Sequence, residues 1–161
     1  MAFTIVLAYD RPEIVGKLFN EYTQYLIRLD PGFQAYLDIQ HYDEELRHLE
    51  NKYGLPGGRL YLALTENGEP AGCVAMTPAG PDCGELKRLY VRPAFQGQGL
   101  GRLLTERILQ EARLGDYSAV RLDTLPPLRE AIHIYRSMGF YEIEAYNENP
   151  MGVSIYMKKD L

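Results

Sequence analysis

The sequence predicts a mixed α/β fold (an α+β mixed sheet). Strands pair antiparallel in the first half, a later strand–helix–strand unit makes two strands parallel, and helices cover both faces. Three observations predict it. Three short apolar runs between Arg59 and Val91 are separated only by tight turns. The segment "QGQGLG", Gln96 to Gly101, leads straight into a long amphipathic pattern. A second strand-to-helix passage then runs from Ala119 to Met138. The 161 residues fit one domain, 1–161, able to bury a core without disulfides or metals.

Taken in order, Phe3 to Ala8 ("FTIVLA") is a short apolar, partly β-branched run and reads as a strand. Asp10 and Glu13 resemble a capping pair around Pro12. Ile14, Leu18, Tyr22, Tyr25 and Leu29 then recur at helical spacing until "DPG", Asp30 to Gly32, stops the helix. Tyr42 to Lys52 carries Leu46 and Leu49 among charges and reads as a second, weaker helix, ended by "GLPGG".

Arg59 to Thr65, Ala71 to Thr77 and Gly84 to Val91 are the strands of an antiparallel meander, which Pro93 terminates. Leu100, Leu103, Leu104, Ile108, Leu109 and Ala112 form an apolar helical stripe opposite Arg102, Glu106, Gln110 and Arg113. Ala119 to Leu125 is a strand. Pro126 to Met138 is a helix with Gly139 as a left-handed cap. Phe140 to Tyr146 and Val153 to Lys158 complete the sheet.

Composition narrows the function classes. A net charge of −5 and a pI near 5.2 argue against nucleic acid as a partner. The opening "MAFTIVLAYD" has no basic region and only a short apolar run. It reads as neither a signal peptide nor a membrane span, so a cytoplasmic protein is expected. Cys73 and Cys83 flank a predicted turn and are expected near each other across it as reduced thiols. His41, His48 and His133 are scattered, and no metal is expected.

The glycines ask for a ligand. A helix N-terminus leaves N–H groups unpaired and carries partial positive charge. Glycines before it let an anion approach the backbone closely. Gly97, Gly99 and Gly101 stand in that place. A Walker loop is excluded, because Gly101 is followed by Arg102 and Leu103. The G-x-G-x-G spacing also fails the dinucleotide fingerprint, although Asp123 lies roughly where its acidic residue would. On their own the glycines read as a loop as readily as a phosphate site. The strand "LKRLYVRP" before them, the helix after them and the later "AIHIYRSMGF" raise the second reading.

"ELKRLYVRPAFQGQGLG", with its Q-x-x-G-x-G motif, resembles the GNAT superfamily of acyl-CoA-dependent N-acetyltransferases, and especially its small bacterial members. The resemblance extends over nearly the whole chain in element order. It implies a GNAT-like acyl-CoA N-acyltransferase fold, with the parallel strand pair splayed around the cofactor cleft. Acetyl-CoA is the implied co-substrate. Its pantetheine arm would run along Leu89, Tyr90 and Val91, adding as an extra strand. Its pyrophosphate would meet the N–H groups of Gln96, Gly97, Gln98, Gly99, Leu100, Gly101 and Arg102.

By the same resemblance Glu85 matches the carboxylate that deprotonates the amine. Tyr135 matches the tyrosine that protonates the departing thiolate and contacts the cofactor, and a strand N–H near Leu89 holds the oxyanion. Leu128 departs from the family, which often has asparagine there. The implied acceptor region includes Phe33, Tyr36, Tyr42, Asp43 and Glu44 on one side, and Tyr146, Asn147 and Asn149 on the other. Aromatic and acidic groups there suit a small cation.

The reading is an N-acetyltransferase for a primary amine of a small molecule. Alternatives are a protein lysine or N-terminal acetyltransferase, or a non-catalytic acyl-CoA-binding module. The fold class also allows a homodimer.

Overall fold

The structure, a computed structural model, describes residues 2–39, 42–147 and 154–161. Its frame is a seven-stranded sheet in the order β1-β2-β3-β4-β5-β7-β6. β1 (Thr4–Leu7), β2 (Arg59–Leu64), β3 (Pro70–Pro78) and β4 (Cys83–Val91) pair antiparallel in succession, which is the expected meander. β5 (Ala119–Thr124) lies parallel to β4, and β7 (Ile155–Asp160) joins β5 and β6 (Tyr141–Ile143) antiparallel.

Alternation along these strands feeds two cores. On one face Leu60, Leu62, Cys73 and Ala75 pack under the N-terminal helices, led by α1 (Pro12–Leu29). On the other, Ala63, Val74, Met76 and Leu86 meet α5 (Leu100–Leu114), whose Leu100, Leu104, Ile108 and Ala112 are buried. The apolar stripe read along α5 is therefore its core face, with the exception of Leu103, which is 43% exposed. Each such leucine or isoleucine withdraws apolar area worth roughly 1.5–3 kcal/mol.

Several expectations need correction. The helix expected over 42–52 is two short ones, α3 (Tyr42–Arg47) and α4 (Leu49–Tyr53), parted at His48. The break lets Glu45 point at the sheet while Leu49 and Tyr53 enter the core. α2 (Phe33–Ile39) was not read from the sequence; buried Phe33 and Leu37, one turn apart, are what fold it.

α6 runs from Arg129 to Ser137 rather than from Pro126, because a turn at Leu125–Leu128 carries the two prolines. α1 is preceded by Arg11 with no side-chain cap, so Asp10 does not cap it. β6 stops at Ile143, and Val153 lies outside the described residues. Cys73 faces Tyr90 near the far end of the β3–β4 pair, whereas Cys83 sits beside the turn, so the two thiols are apart. No helix of the described residues is long and apolar enough to cross a membrane.

Gly72 of β3 has no room for a side chain. A Cβ there would lie 2.6 Å from the Tyr90 carbonyl oxygen and 3.4 Å from Leu104 Cδ1. The obstructing atom is backbone, so it cannot swing aside. Gly72→Ala is expected to cost about 1–3 kcal/mol of stability, read as a lower melting temperature; an unchanged melt would contradict this packing.

Candidate active site

β4 and β5 are hydrogen-bonded neighbours only at Cys83↔Ala119, Gly84↔Val120 and Glu85↔Arg121. Beyond these pairs the strands part. The gap is a cavity of about 830 Å³ walled by Leu86–Val91 of β4, the end of β5 from Asp123, and parts of α1, α5 and α6. Tyr22, Tyr25 and Phe33 close it from the helical side.

The glycine segment forms one end of this cavity. After a 3-10 turn at Pro93–Phe95, the Gln96 side-chain amide donates to the Val91 carbonyl at 3.1 Å and ties the loop to the strand. Gly97 and Gly99 have φ of +80° and +79°, a left-handed backbone that disfavours side chains. No atom lies within 4 Å of where a Cβ would stand at either. They are glycine for conformation and for open space in front of the helix, not for internal packing.

Gly101 differs: its Cβ would come 3.0 Å from Ile134 Cδ1, so it serves the contact between α5 and α6. Leu89, Tyr90, Val91, Gln96, Gly97, Gly99, Leu100 and Gly101 all line the cavity. Gln98 and Arg102 do not. Gln98 is exposed, and Arg102 turns toward the end of α6, donating to Ser137 Oγ at 3.0 Å and pairing with Glu106 at 3.8 Å.

The cavity wall on β4 is irregular. Lys87 pairs with Ala75 and Tyr90 with Cys73, so Arg88 and Leu89 together face Val74 alone. This is a β-bulge. Arg88 has φ +59°, a conformation that costs an L-residue roughly 1–2 kcal/mol. Its buried guanidinium donates to Glu45 of α3 through two bonds of 2.9 Å and lies 5.1 Å from the centre of the Tyr42 ring. Lys52 adds a 2.8 Å bond to the same carboxylate. Burial alone would raise the Glu45 pKa, but Arg88 and then Lys52 overcome it and hold it at about 2.

Tyr135 of α6 is 4% exposed, with its ring 5.5 Å from that of Phe140, yet it lines the cavity. Burial, helped by Tyr22 and Asp123 nearby, pushes its phenol well above the usual value. Asp123 lines the same cavity and also opposes ionisation of Tyr22, whose pKa burial raises.

Glu85 is placed differently from the sequence expectation. It does not line the cavity, and it is 6% exposed. Arg121 holds Oε1 at 3.2 Å, while Lys87 Nζ at 3.2 Å and the Tyr146 hydroxyl at 3.3 Å hold Oε2. Tyr146 in turn lies under Arg121 at 3.8 Å and against the Tyr156 ring. Asn147 Oδ1 accepts from Tyr156 Oη at 2.7 Å.

Of the expected acceptor residues, Phe33 lines the cavity, Tyr42 packs on Arg88, and Asp43 and Glu44 are exposed away from it. The Tyr36 side chain and Asn149 lie outside what the structure describes. Sequence reasoning did not assign Asp123 or Glu45 to the site. Asp123 lies near the end of an alternating strand, "AVRLDTL", and that placement is its signal.

Comparison with known proteins agrees with this geometry. The profile of the Acetyltransferase (GNAT) family matches residues 17–140. The chain belongs to the GNAT family of acetyltransferases. It is 43% identical over 126 residues to an uncharacterised N-acetyltransferase of Schizosaccharomyces pombe, a match covering 78% of this chain and 77% of that one. An acetyltransferase structure from Streptococcus agalactiae superposes with a TM-score of 0.77 at 24% identity, over 99% of this chain and 98% of that one.

A GNAT acetyltransferase of Elizabethkingia anophelis, solved with acetyl-CoA bound, gives a TM-score of 0.55 at 25% identity over 65% and 77% of the two chains. The chain is accordingly an acyl-CoA-dependent acetyltransferase of GNAT fold. The antiparallel meander and the glycine loop are the parts of that fold most readable in its sequence.

Proposed function

We propose that this GNAT enzyme transfers the acetyl group of acetyl-CoA to a primary amine of a small molecule by direct attack. The observation that carries the reading is the shared cavity: the side-chain-free backbone at Gly97 and Gly99, and the residues Tyr135 and Asp123, all line it. Acetyl-CoA fits these groups. Its pyrophosphate matches the start of α5, and its pantetheine arm matches the open edge of β4 from Leu89 to Val91. The closing aromatics, Tyr22, Tyr25 and Phe33, favour a compact acceptor over a protein chain, which needs an open groove.

An alkylamine has a pKa of about 10 and must be neutral to attack. In this reading Asp123, the carboxylate on the cavity wall, takes the proton. The amine nitrogen bonds to the acetyl carbon as the carbon–sulfur bond breaks, the thiolate receives the Tyr135 proton, and the second proton shed by the nitrogen passes to the tyrosinate or to solvent. Both side chains then recover their starting states by exchange with solvent. A second reading keeps the base at Glu85, as the family resemblance implies; it requires Glu85 to loosen its contacts with Lys87 and Arg121.

Thiol release from acetyl-CoA tests the function, with amino acids, polyamines, aminoglycosides and a lysine-rich peptide offered as separate pools. Release with a small-molecule pool is expected; release with the peptide alone would move the acceptor to a protein. Once an acceptor is found, Asp123→Asn is expected to lower kcat by about 10²-fold and Glu85→Gln by much less. The opposite ranking hands the base role to Glu85.

A further inference from the structure

The β-bulge on β4 has an unusual occupant. A left-handed residue at a bulge favours glycine, which adopts it without strain. This chain instead places an arginine there, at φ +59°. The arginine is also held: Glu45 grips its guanidinium in a bidentate pair, with the two side chains 2% and 5% exposed. The Tyr42 ring lies against the same guanidinium, and Cys73 Sγ donates to the Arg88 carbonyl oxygen at 3.4 Å. Side chain and main chain of one strained residue are thus both fixed from the α1–α4 side of the sheet.

The bulge stands where the strands have already separated. The last β4–β5 pair is Glu85↔Arg121, so Leu89 is out of reach of β5 and out of regular register with β3. Leu89 lines the cavity.

We propose that Glu45 is a positioning residue: by clamping Arg88 in the left-handed conformation it fixes the bulge that aims the Leu89 N–H at the thioester carbonyl oxygen. The inference rests on the acetyl-CoA reading of the cavity. Glu45 touches no reactant, and its effect passes through the Arg88 backbone. A preorganised N–H polarises the carbonyl before attack and gains strength as charge develops on the oxygen.

The test is the carbonyl stretch of acetyl-CoA labelled with ¹³C at the acetyl carbonyl, recorded by infrared difference spectroscopy on the bound ligand. The wild type is expected to lower the frequency relative to free acetyl-CoA. Arg88→Ala and Arg88→Gly lose the same guanidinium, but only glycine keeps φ near +59° without strain. Arg88→Gly is expected to retain most of the shift and Arg88→Ala to lose most of it. Both are expected to bind acetyl-CoA within about tenfold of wild type, because the phosphate site is untouched.

Glu45→Gln is expected to lose the shift, and adding Arg88→Gly to it to restore the shift. A purely structural Glu45 would give no such rescue. Equal shifts in the alanine and glycine variants would overturn the proposal, as would a wild type that binds acetyl-CoA without a shift. A wild type that does not bind acetyl-CoA at all would instead refute the function on which the proposal rests.

Discussion

Gly99→Val is expected to weaken acetyl-CoA binding by about a hundredfold or more, an effect on the scale of losing two charge-assisted phosphate contacts. The reason is local. Gly99 precedes the first turn of α5 with φ +79°, and a β-branched residue there is a steric outlier. The chain has two responses. It can keep the conformation and project the valine methyls into the open space before the helix N–H groups, or it can relax the backbone and turn those N–H groups away.

Either response removes the proposed anion site. Because no atom of the described residues beyond its chain neighbours lies within 4 Å of the new Cβ, the Cβ meets no internal obstruction, and the fold is expected to survive with a modestly lower melting temperature. Calorimetric titration with acetyl-CoA reads the affinity and a thermal melt reads the fold. Affinity within threefold of wild type would remove this loop as the pyrophosphate site.

The glycine loop was legible because its signal is local. The residue types, their spacing and the helix they precede lie within Gln96 to Leu114, and the strand before them and the later "AIHIYRSMGF" favour a phosphate site over a plain loop. The β2–β3–β4 meander was legible for the same reason, since turn residues and alternation sit side by side in the chain. What escaped depends on register and on distant partners. The bulge exists because β4 spends one more residue than β3 between two paired positions, and no glycine marks the left-handed site.

Glu45 sits in "DEEL", a run that looks like a solvated helix face, and its partner lies 43 residues away in sequence. The split of 42–52 into two helices follows from that pairing, because an unbroken helix would hold Glu45 and the core residues Leu49 and Tyr53 on one fixed face. Glu85 shows the converse case. Its spacing from the glycines matches a family pattern, but spacing does not reveal that Lys87 and Arg121 lie against its carboxylate.

Tyr135→Phe is expected to lower kcat by about 10²–10³-fold while leaving acetyl-CoA affinity within about twofold. The ring is packed among apolar neighbours with Phe140 at 5.5 Å, and phenylalanine preserves that packing. Only the hydroxyl is lost, and it belongs to a side chain that lines the cavity. Burial raises the phenol's pKa, so the proposed acid stays protonated across the ordinary assay range.

The sign of this shift has a kinetic consequence. The phenol loses its proton only above its ordinary value of about 10, so Tyr135 contributes no falling limb to the rate profile between neutral pH and pH 10. A fall within that interval would have to come from another group. If the variant turns over at the wild-type rate, solvent protonates the leaving thiolate and Tyr135 is a packing residue. If both kcat and affinity collapse, the hydroxyl orders the bound cofactor instead of donating a proton to it.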